Sequence, residues 1–454
     1  MASNSDSNMD SNRDGNIADA TGEVRLRRNI LWNNWNGIFQ VLAGNMINPF
    51  IGILAIKLDA TNMQIAMLSS LPAVASVIAM IPGARMIDRK QHKKGITTLF
   101  FLLNRLFFLA IAAVPFFSPD RRAALLVIAV ALMNLPGAVA NTAYQALMGD
   151  IVPARRRGGA MASRNFWMGL AGNVTLLGTG IMLDRLPFPA GYQWMFTAAF
   201  VLALAEIWAL TQIDEPGRRP TRGEAGAASG TTGDAGASGG SGTAVRVAVT
   251  EAAPLGARLR AKLDEVLAEK AFMSFLSTSL LFQFGWQMAW PLFTKYQVSY
   301  LGANNWWTSL IAFIGGITTM VFYPIWARWA DRWGTRYVLG FAAAGLATVP
   351  VLYAVSQTLL SIALWNLWMG VFVAGVVLLL FNGLLEVTPE KNRTTYIAYY
   401  NTLVNISAIV APIIGVAIMN RFDIWIAFYT AATFRFLGAL ALIGVRRRKK
   451  EVSA

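Results

Sequence analysis

Apolar stretches long enough to cross a bilayer alternate with short polar punctuation along almost the whole chain. Crossing about 30 Å of hydrocarbon takes roughly 20 helical residues. Twelve windows meet that length, numbered spans 1 to 12 below: residues 30–57, 62–84, 96–117, 123–147, 158–183, 190–211, 271–298, 304–327, 336–355, 360–385, 394–419 and 424–445. Between spans 6 and 7 the pattern lapses. Residues 223–242 are Gly, Ala, Ser and Thr with scattered charge, too little apolar area to offset the entropy of folding, and are predicted to be disordered. After Pro254, Leu255, Leu259, Leu263 and Leu267 recur every fourth position, with Arg258, Arg260 and Lys262 elsewhere on the turn. That spacing predicts a short amphipathic helix lying on a membrane surface. The predicted organisation is a disordered N-terminus (1–29), a six-helix bundle (30–212), a linker (213–270), a second six-helix bundle (271–445) and a tail (446–454).

The polar punctuation occurs twice. Asp150, Pro153, Arg157 and Asn165 are matched in spacing by Glu386, Pro389, Arg393 and Asn401. Arg85, Asp88, Arg89 and Lys93 answer to Arg328, Asp331, Arg332 and Arg336, and Pro49 and Asn62 to Pro291 and Asn304. One membrane unit built twice is the sequence sign of a secondary transporter, whose substrate site lies between the halves near mid-bilayer. The expected fold is therefore all-α and integral to the membrane, with twelve transmembrane helices in two pseudo-symmetric six-helix bundles.

Composition agrees: 55% of the 454 residues are hydrophobic and 14% charged, where soluble proteins carry about a quarter charged. The net charge of +15 raises the question of nucleic acid, but its location answers for topology instead. Basic residues crowd Arg25–Arg28, Arg85–Lys94, Arg155–Arg157, Arg328–Arg336, Lys391–Arg393 and Arg446–Lys450, while the alternate connections hold only Lys57, Arg121, Arg122, Arg185 and Arg421. The positive-inside rule then puts both termini and the linker in the cytoplasm of a multi-pass cell-membrane protein. The first 29 residues lack an apolar core, so no cleavable signal peptide is expected. The expected partners are the lipid bilayer and a small-molecule substrate, with no nucleic acid, and the chain is expected to act as a monomer. With no cysteine, disulfides, thiolate metal sites and cysteine nucleophiles are excluded. No phosphate-cradling glycine loop or metal-binding histidine pair occurs, so neither an enzyme, a cofactor nor a metal is expected.

The twelve spans, the doubled six-span unit and the basic loops after spans 2 and 8 resemble the major facilitator superfamily across nearly the whole chain. The loop Ala84-Arg85-Met86-Ile87-Asp88-Arg89-Lys90-Gln91-His92-Lys93 is similar to that family's signature, and Ala327-Arg328-Trp329-Ala330-Asp331-Arg332-Trp333-Gly334-Thr335-Arg336 is its twin. Alanine replaces the first signature glycine in both copies, and Gln91 the second glycine in the first copy. The resemblance implies alternating access between the halves. It implies gating by Asp88 and Asp331, each facing the N-terminus of a helix from the other half, with Arg89 and Arg332 beside them. The pairs Asp150 with Arg157 and Glu386 with Arg393 would form companion networks. A carboxylate at a helix N-terminus contributes about 0.3 to 1 kcal/mol when exposed; the alternative is that these charges only mark the cytoplasmic surface.

The resemblance also places the substrate cavity among spans 1, 4, 7 and 10, which are unusually polar. Asn33, Asn36, Gln40, Gly44 and Asn48 form one sector of span 1 when wound as a helix. Span 7 gives Gln283, Trp286, Gln287, Trp290 and Thr294; span 4 gives Asn134, Asn141 and Gln145; span 10 gives Trp368, Phe372, Gly375 and Asn382. Asn401 of span 11 joins the candidate set. Such stripes must face protein or water, so these amides either line the substrate path or tie neighbouring helices together.

Ionisable residues inside spans mark function or pairing. Arg105, Glu206, Lys295 and Arg435 are candidates for charged-substrate or coupling contacts, with helix-tying the alternative for the two arginines and snorkelling for Lys295. Arg164, near the cytoplasmic end of span 5, is expected to snorkel. Glu206 is the only carboxylate clearly inside a span. Met133 stands where proton-coupled relatives carry arginine, and span 5 lacks the antiporter glycine–proline run, whose partial echo is Ala411-Pro412-Ile413-Ile414-Gly415 in span 11. The expected function is secondary active or facilitative transport of a small polar neutral or anionic organic solute. The alternative is a lipid, amphiphile or drug exporter, flippase-like or proton-coupled, on the same fold.

Overall fold

A computed structural model describes residues 4–88, 92–215, 265–389 and 393–444. The backbone alone is described at 4–22 and at 81, 84, 85, 88, 150, 154, 155, 157–159, 162 and 393–395. Among the described residues the regular structure is helical throughout, as expected where no water is available to satisfy a peptide group and each span must close its own hydrogen bonds. Spans 1 to 6 are Asn4–Lys57, Asn62–Asp88, Lys93–Ala113, Pro119–Ile151, Ala154–Arg185 and Ala190–Thr211. Spans 8 and 10 to 12 are Asn305–Trp333, Leu359–Val387, Arg393–Arg421 and Ile424–Gly444. Span 9 is two helices, Thr335–Ala347 and Val349–Val355, parted ahead of Pro350.

Eleven of these helical segments are long and apolar enough to cross a membrane. Span 7 is the exception. Its helix Lys270–Met288 stops, resumes as Trp290–Lys295 and ends in a π turn, Tyr296–Tyr300. Pro291 sits at the restart; it has no N–H to give to the preceding turn, so the hydrogen-bond ladder breaks there.

Each half has its own core. Phe50, Leu54, Phe108, Leu126, Met195 and Phe196 close the first, and Phe272, Phe275, Phe282, Trp326, Tyr353 and Phe428 the second. The halves meet where span 2 packs on span 11 and span 5 on span 8. Large apolar side chains such as Ile78, Val174, Trp194, Val201, Leu364 and Leu440 stay exposed on the outer surface, where acyl chains rather than water are the solvent.

The helix of span 1 runs back to Asn4, through a segment expected to be disordered. Adding residues to a helix already nucleated by a packed span costs little, and Glu23 accepts from Arg27 (3.5 Å) and Arg156 (3.2 Å). Of the linker, Asp214 and Glu215 are held. Asn29 exchanges two 2.9 Å hydrogen bonds with Asp214, and the Glu215 carboxylate accepts the amides of Lys93 (2.7 Å) and Lys94 (3.3 Å) at the start of span 3. The glycine-rich segment, Leu255, Leu259, Leu263 and the basic tail lie outside the described residues. Leu267, the last of the leucine stripe, is half exposed beside the buried Val266.

Candidate functional site

Span 1 carries its amides inward. Asn33 and Asn36 are both 1% exposed. Asn36 donates to the Glu206 carbonyl at 3.0 Å, and Asn33 accepts from the Tyr144 hydroxyl. One turn further along, Gln40 accepts from Arg164 at 2.7 Å.

Arg164 corrects the snorkelling expectation. Only 7% exposed, it points into the bundle, with one terminal nitrogen on the carbonyl oxygens of Gln40 and, at 3.5 Å, Asn36. Its guanidinium lies 4.9 Å from the Tyr144 ring centre. The reason is local packing: a Cβ on Gly37 would stand 2.8 Å from Arg164 Nε and 2.9 Å from its Cγ, so the missing side chain on span 1 is the slot through which Arg164 passes. Ala160, Arg164, Gly172, Leu176 and Thr179 share the buried face of span 5, at a helical spacing that the sequence reading did not use.

Arg164 borders a cavity of about 410 Å³ lined by Gln40, Asn141, Tyr144, Gln145, Met148, Gly149, Met161 and Arg164. The volume falls in the range of small-molecule sites. Asn141 and Gln145 of span 4 are exposed to it, and Met148, Gly149 and Met161 place it toward the end of the bundle where the basic loops lie. Span 5 thus lines the cavity together with the expected spans 1 and 4. Asn134 instead folds back on its own helix, donating to Val130 at 2.8 Å.

Behind this wall Arg105 and Glu206 pair. Arg105 Nε donates to one carboxylate oxygen at 3.0 Å and a terminal nitrogen to the other at 3.1 Å, with the closest approach 2.9 Å. Glu206 is fully buried. Arg105 also donates to Asn104 Oδ1, whose amide in turn donates to the Met133 carbonyl. The fork satisfies both charges and ties span 3 to span 6. Removing one partner of such a pair costs about 3 to 5 kcal/mol, because the other is left buried and uncompensated.

In the second half Arg435 of span 12 is buried and donates to the carbonyls of Gly285 (3.1 Å), Trp286 (3.2 Å) and Leu346 (3.1 Å). Two of these belong to the last turn of the helix that ends at Met288, so Arg435 caps carbonyls that the helix end leaves without an intrahelical partner. Gln287 reaches the Val404 carbonyl at 3.4 Å, while its own oxygen is buried without a partner. Trp286 packs on Phe282, with ring centres 5.9 Å apart. Gln283, Lys295 and Asn382 are half-buried, and Trp290, Asn401 and Trp368 exposed. None of these second-half candidates lines the cavity bounded by Arg164.

Of the gating candidates, Asp331 and Arg332 are exposed, and Glu386 is exposed and accepts from Thr335 within its own half. The Asp88, Asp150, Arg157 and Arg393 side chains and all of Arg89 lie outside the described residues. Among the described residues, the polar contacts between halves sit at the other end. Asp184, closing span 5, accepts from the backbone N–H of Asn305 (3.1 Å) and of Trp306 (2.9 Å) and from Asn305 Nδ2 (2.8 Å), at the positive N-terminus of span 8. Tyr192 adds a hydrogen bond to Asn305 Oδ1 at 2.7 Å. Related by the internal repeat, Asn420 at the end of span 11 accepts from Asn62 at the start of span 2 at 2.7 Å. Sequence reasoning singled out Asn62 and Asn304 but missed Asp184, whose partners come from the opposite half.

The Major Facilitator Superfamily model matches residues 35–319 and again 275–454. Among solved structures, a D-xylose–proton symporter superposes with a TM-score of 0.68 at 14% identity, over 93% of this chain and 98% of that one. The nucleoside transporter NupG superposes with 0.62 at 11% identity, over 92% and 100%. A bacterial homologue of the human lysosomal transporter Spinster, in an inward-facing and unoccupied conformation, gives 0.60 at 13%, over 94% and 99%. A curated relative, the class H tetracycline resistance protein of Pasteurella multocida, is 31% identical over 100 residues, which is 21% of this chain and 24% of that protein. Two repeats, eleven membrane-length helices among the described residues with a broken seventh span, and a family match running through both halves make this chain a membrane transporter of the major facilitator superfamily.

Proposed function

We propose that the chain moves a small polar neutral or anionic organic solute by alternating access, as a secondary active or facilitative transporter acting as a monomer in the cell membrane. The observation that carries this reading is a cavity of about 410 Å³ walled by amides, a phenol and a guanidinium inside an otherwise apolar bundle. Polar groups in that setting cost free energy unless something occupies or hydrates the space. With the basic loops in the cytoplasm, the cavity faces inward and the Asp184 and Asn420 contacts hold the extracellular end closed. Gln40, Asn141 and Gln145 then contact solute, and Gln283, Trp286 and Gln287 meet it from the second half as the bundle closes. Asp88, Asp331 and the carboxylate–arginine pairs at Asp150 and Glu386 make their cross-half contacts in the opposite, outward-facing state.

Uptake of labelled sugars, nucleosides and organic acids into vesicles containing the purified protein tests the reading. Protein-dependent, saturable flux of at least one of them is expected, reduced by Gln40→Ala and Asn141→Ala in protein that elutes as wild type. Absence of flux for every solute class refutes it. A second reading, drug or amphiphile export, is favoured by the match to the tetracycline resistance protein; proton-driven accumulation of tetracycline in inverted vesicles would select it.

A further inference from the structure

We infer that Arg164 is an anion-binding residue, so that the transported solute carries a carboxylate or phosphate group; the inference rests on the transporter reading above and narrows its substrate class. Arg164 is more than nine-tenths buried, lines the cavity, and has a buried Nε with no hydrogen-bond partner. What it does contact is neutral: the Gln40 and Asn36 carbonyl oxygens and the face of Tyr144. Among the described residues no carboxylate forms an ion pair with it, and none lines the cavity. The nearest buried carboxylate, Glu206, is taken up by Arg105. Among the described residues, nothing thus offsets the positive charge that Arg164 brings to the cavity. A second donor, Asn33 Nδ2, is also buried and unpartnered, and the oxygen of the same amide is engaged by Tyr144, the ring on which Arg164 lies.

A buried cation held only by neutral acceptors is costly. An incoming anion supplies the missing acceptor, and its hydrogen bonds to the guanidinium are charge-assisted. A cationic solute would meet the same charge as repulsion. Gly37 keeps the arrangement open, since any side chain there displaces Nε.

The test uses full-length protein in detergent and follows melting by intrinsic tryptophan fluorescence. Ligands come in matched pairs differing in charge: succinate and succinamide, benzoate and benzamide, glycerol phosphate and glycerol. Short-chain phosphatidylglycerol against phosphatidylcholine covers a lipid headgroup as the source of the anion. The anionic member of at least one pair is expected to raise the melting temperature while its neutral twin does not. A soluble anion identifies a solute site, and phosphatidylglycerol alone a lipid headgroup site. Arg164→Gln should weaken anion binding by about tenfold to a hundredfold, the range for a lost charged hydrogen bond. Arg164→Lys should weaken it less, because the charge stays and the fork is lost. Gly37→Ala should weaken it with the charge intact. A merely structural arginine would lower the melting temperature of the free protein and leave the anion preference unchanged. Equal stabilisation by the neutral twins, no stabilisation of wild type by any anion, or an unchanged preference in Arg164→Gln overturns the inference. Should Arg164→Gln fail to fold, the wild-type pairs and Gly37→Ala still decide. Vesicle flux of a neutral solute would sink the anion assignment and leave the transporter reading standing; no flux at all would sink the transporter reading.

Discussion

Asp184→Asn should open the end of the molecule that is closed here. The carboxylate accepts two backbone amides and one side-chain amide from the first residues of span 8, and its charge faces the positive end of that helix. Asp184 is itself exposed, so the charge–dipole part is worth about 0.3 to 1 kcal/mol. Replacing one carboxylate oxygen by an amide nitrogen also weakens a charged hydrogen bond, and solvent can compensate much of that loss. A net effect of about 1 kcal/mol follows, a shift of about fivefold in the ratio of the two states. Because the contact joins the halves, the change appears in the conformational equilibrium rather than in the stability of either bundle. Spin labels on Asp120→Cys, in the exposed first turn of span 4, and Gln357→Cys, in the exposed loop before span 10, read the effect from the two halves at this end in a chain with no native cysteine. The distance distribution should gain a longer component in Asp184→Asn. Gly180→Ala should move it in the same direction, since its Cβ would stand 2.7 Å from Ser309 Cβ and 2.9 Å from the Asn305 carbonyl oxygen. An unchanged distribution in both variants would refute the latch.

Glu206→Gln should lower the melting temperature by leaving Arg105 buried and unpaired, and pairing it with Arg105→Gln should recover part of the loss; solute exchange should survive in the single variant, and loss of exchange in well-folded protein would make Glu206 a coupling group. Asp331→Asn, exposed in this state, should favour the conformation seen here by about 1 kcal/mol or less, shortening distances at the latched end; an unchanged equilibrium would leave Asp331 a surface charge. An impermeant thiol reagent applied to whole cells should label Gln357→Cys and spare Gly230→Cys, and the reverse pattern would invert the proposed topology.

The spans, the doubled unit and the family were legible in the chain because each follows from local rules. Bilayer thickness sets the length of an apolar run, and a repeated polar pattern survives reading one residue at a time. The amides of spans 1 and 4 were written at helical spacing, whereas the break in span 7 was not, since Pro49, the repeat partner of Pro291, lies inside an unbroken helix. What the sequence left open was which of two chemically equal choices each polar group takes. Arg105 and Arg435 look alike in an apolar run, yet one meets Glu206 from another helix and the other meets carbonyls and the Phe293 ring. Arg164 could reach outward to water or inward to Gln40, and a missing Cβ on Gly37, more than a hundred positions away, decides it. Asp184 reads as a loop charge until span 8 presents its N-terminus. Pairing across helices depends on register and rotation, which tertiary packing sets, and the energies that choose a partner are absent from any single span.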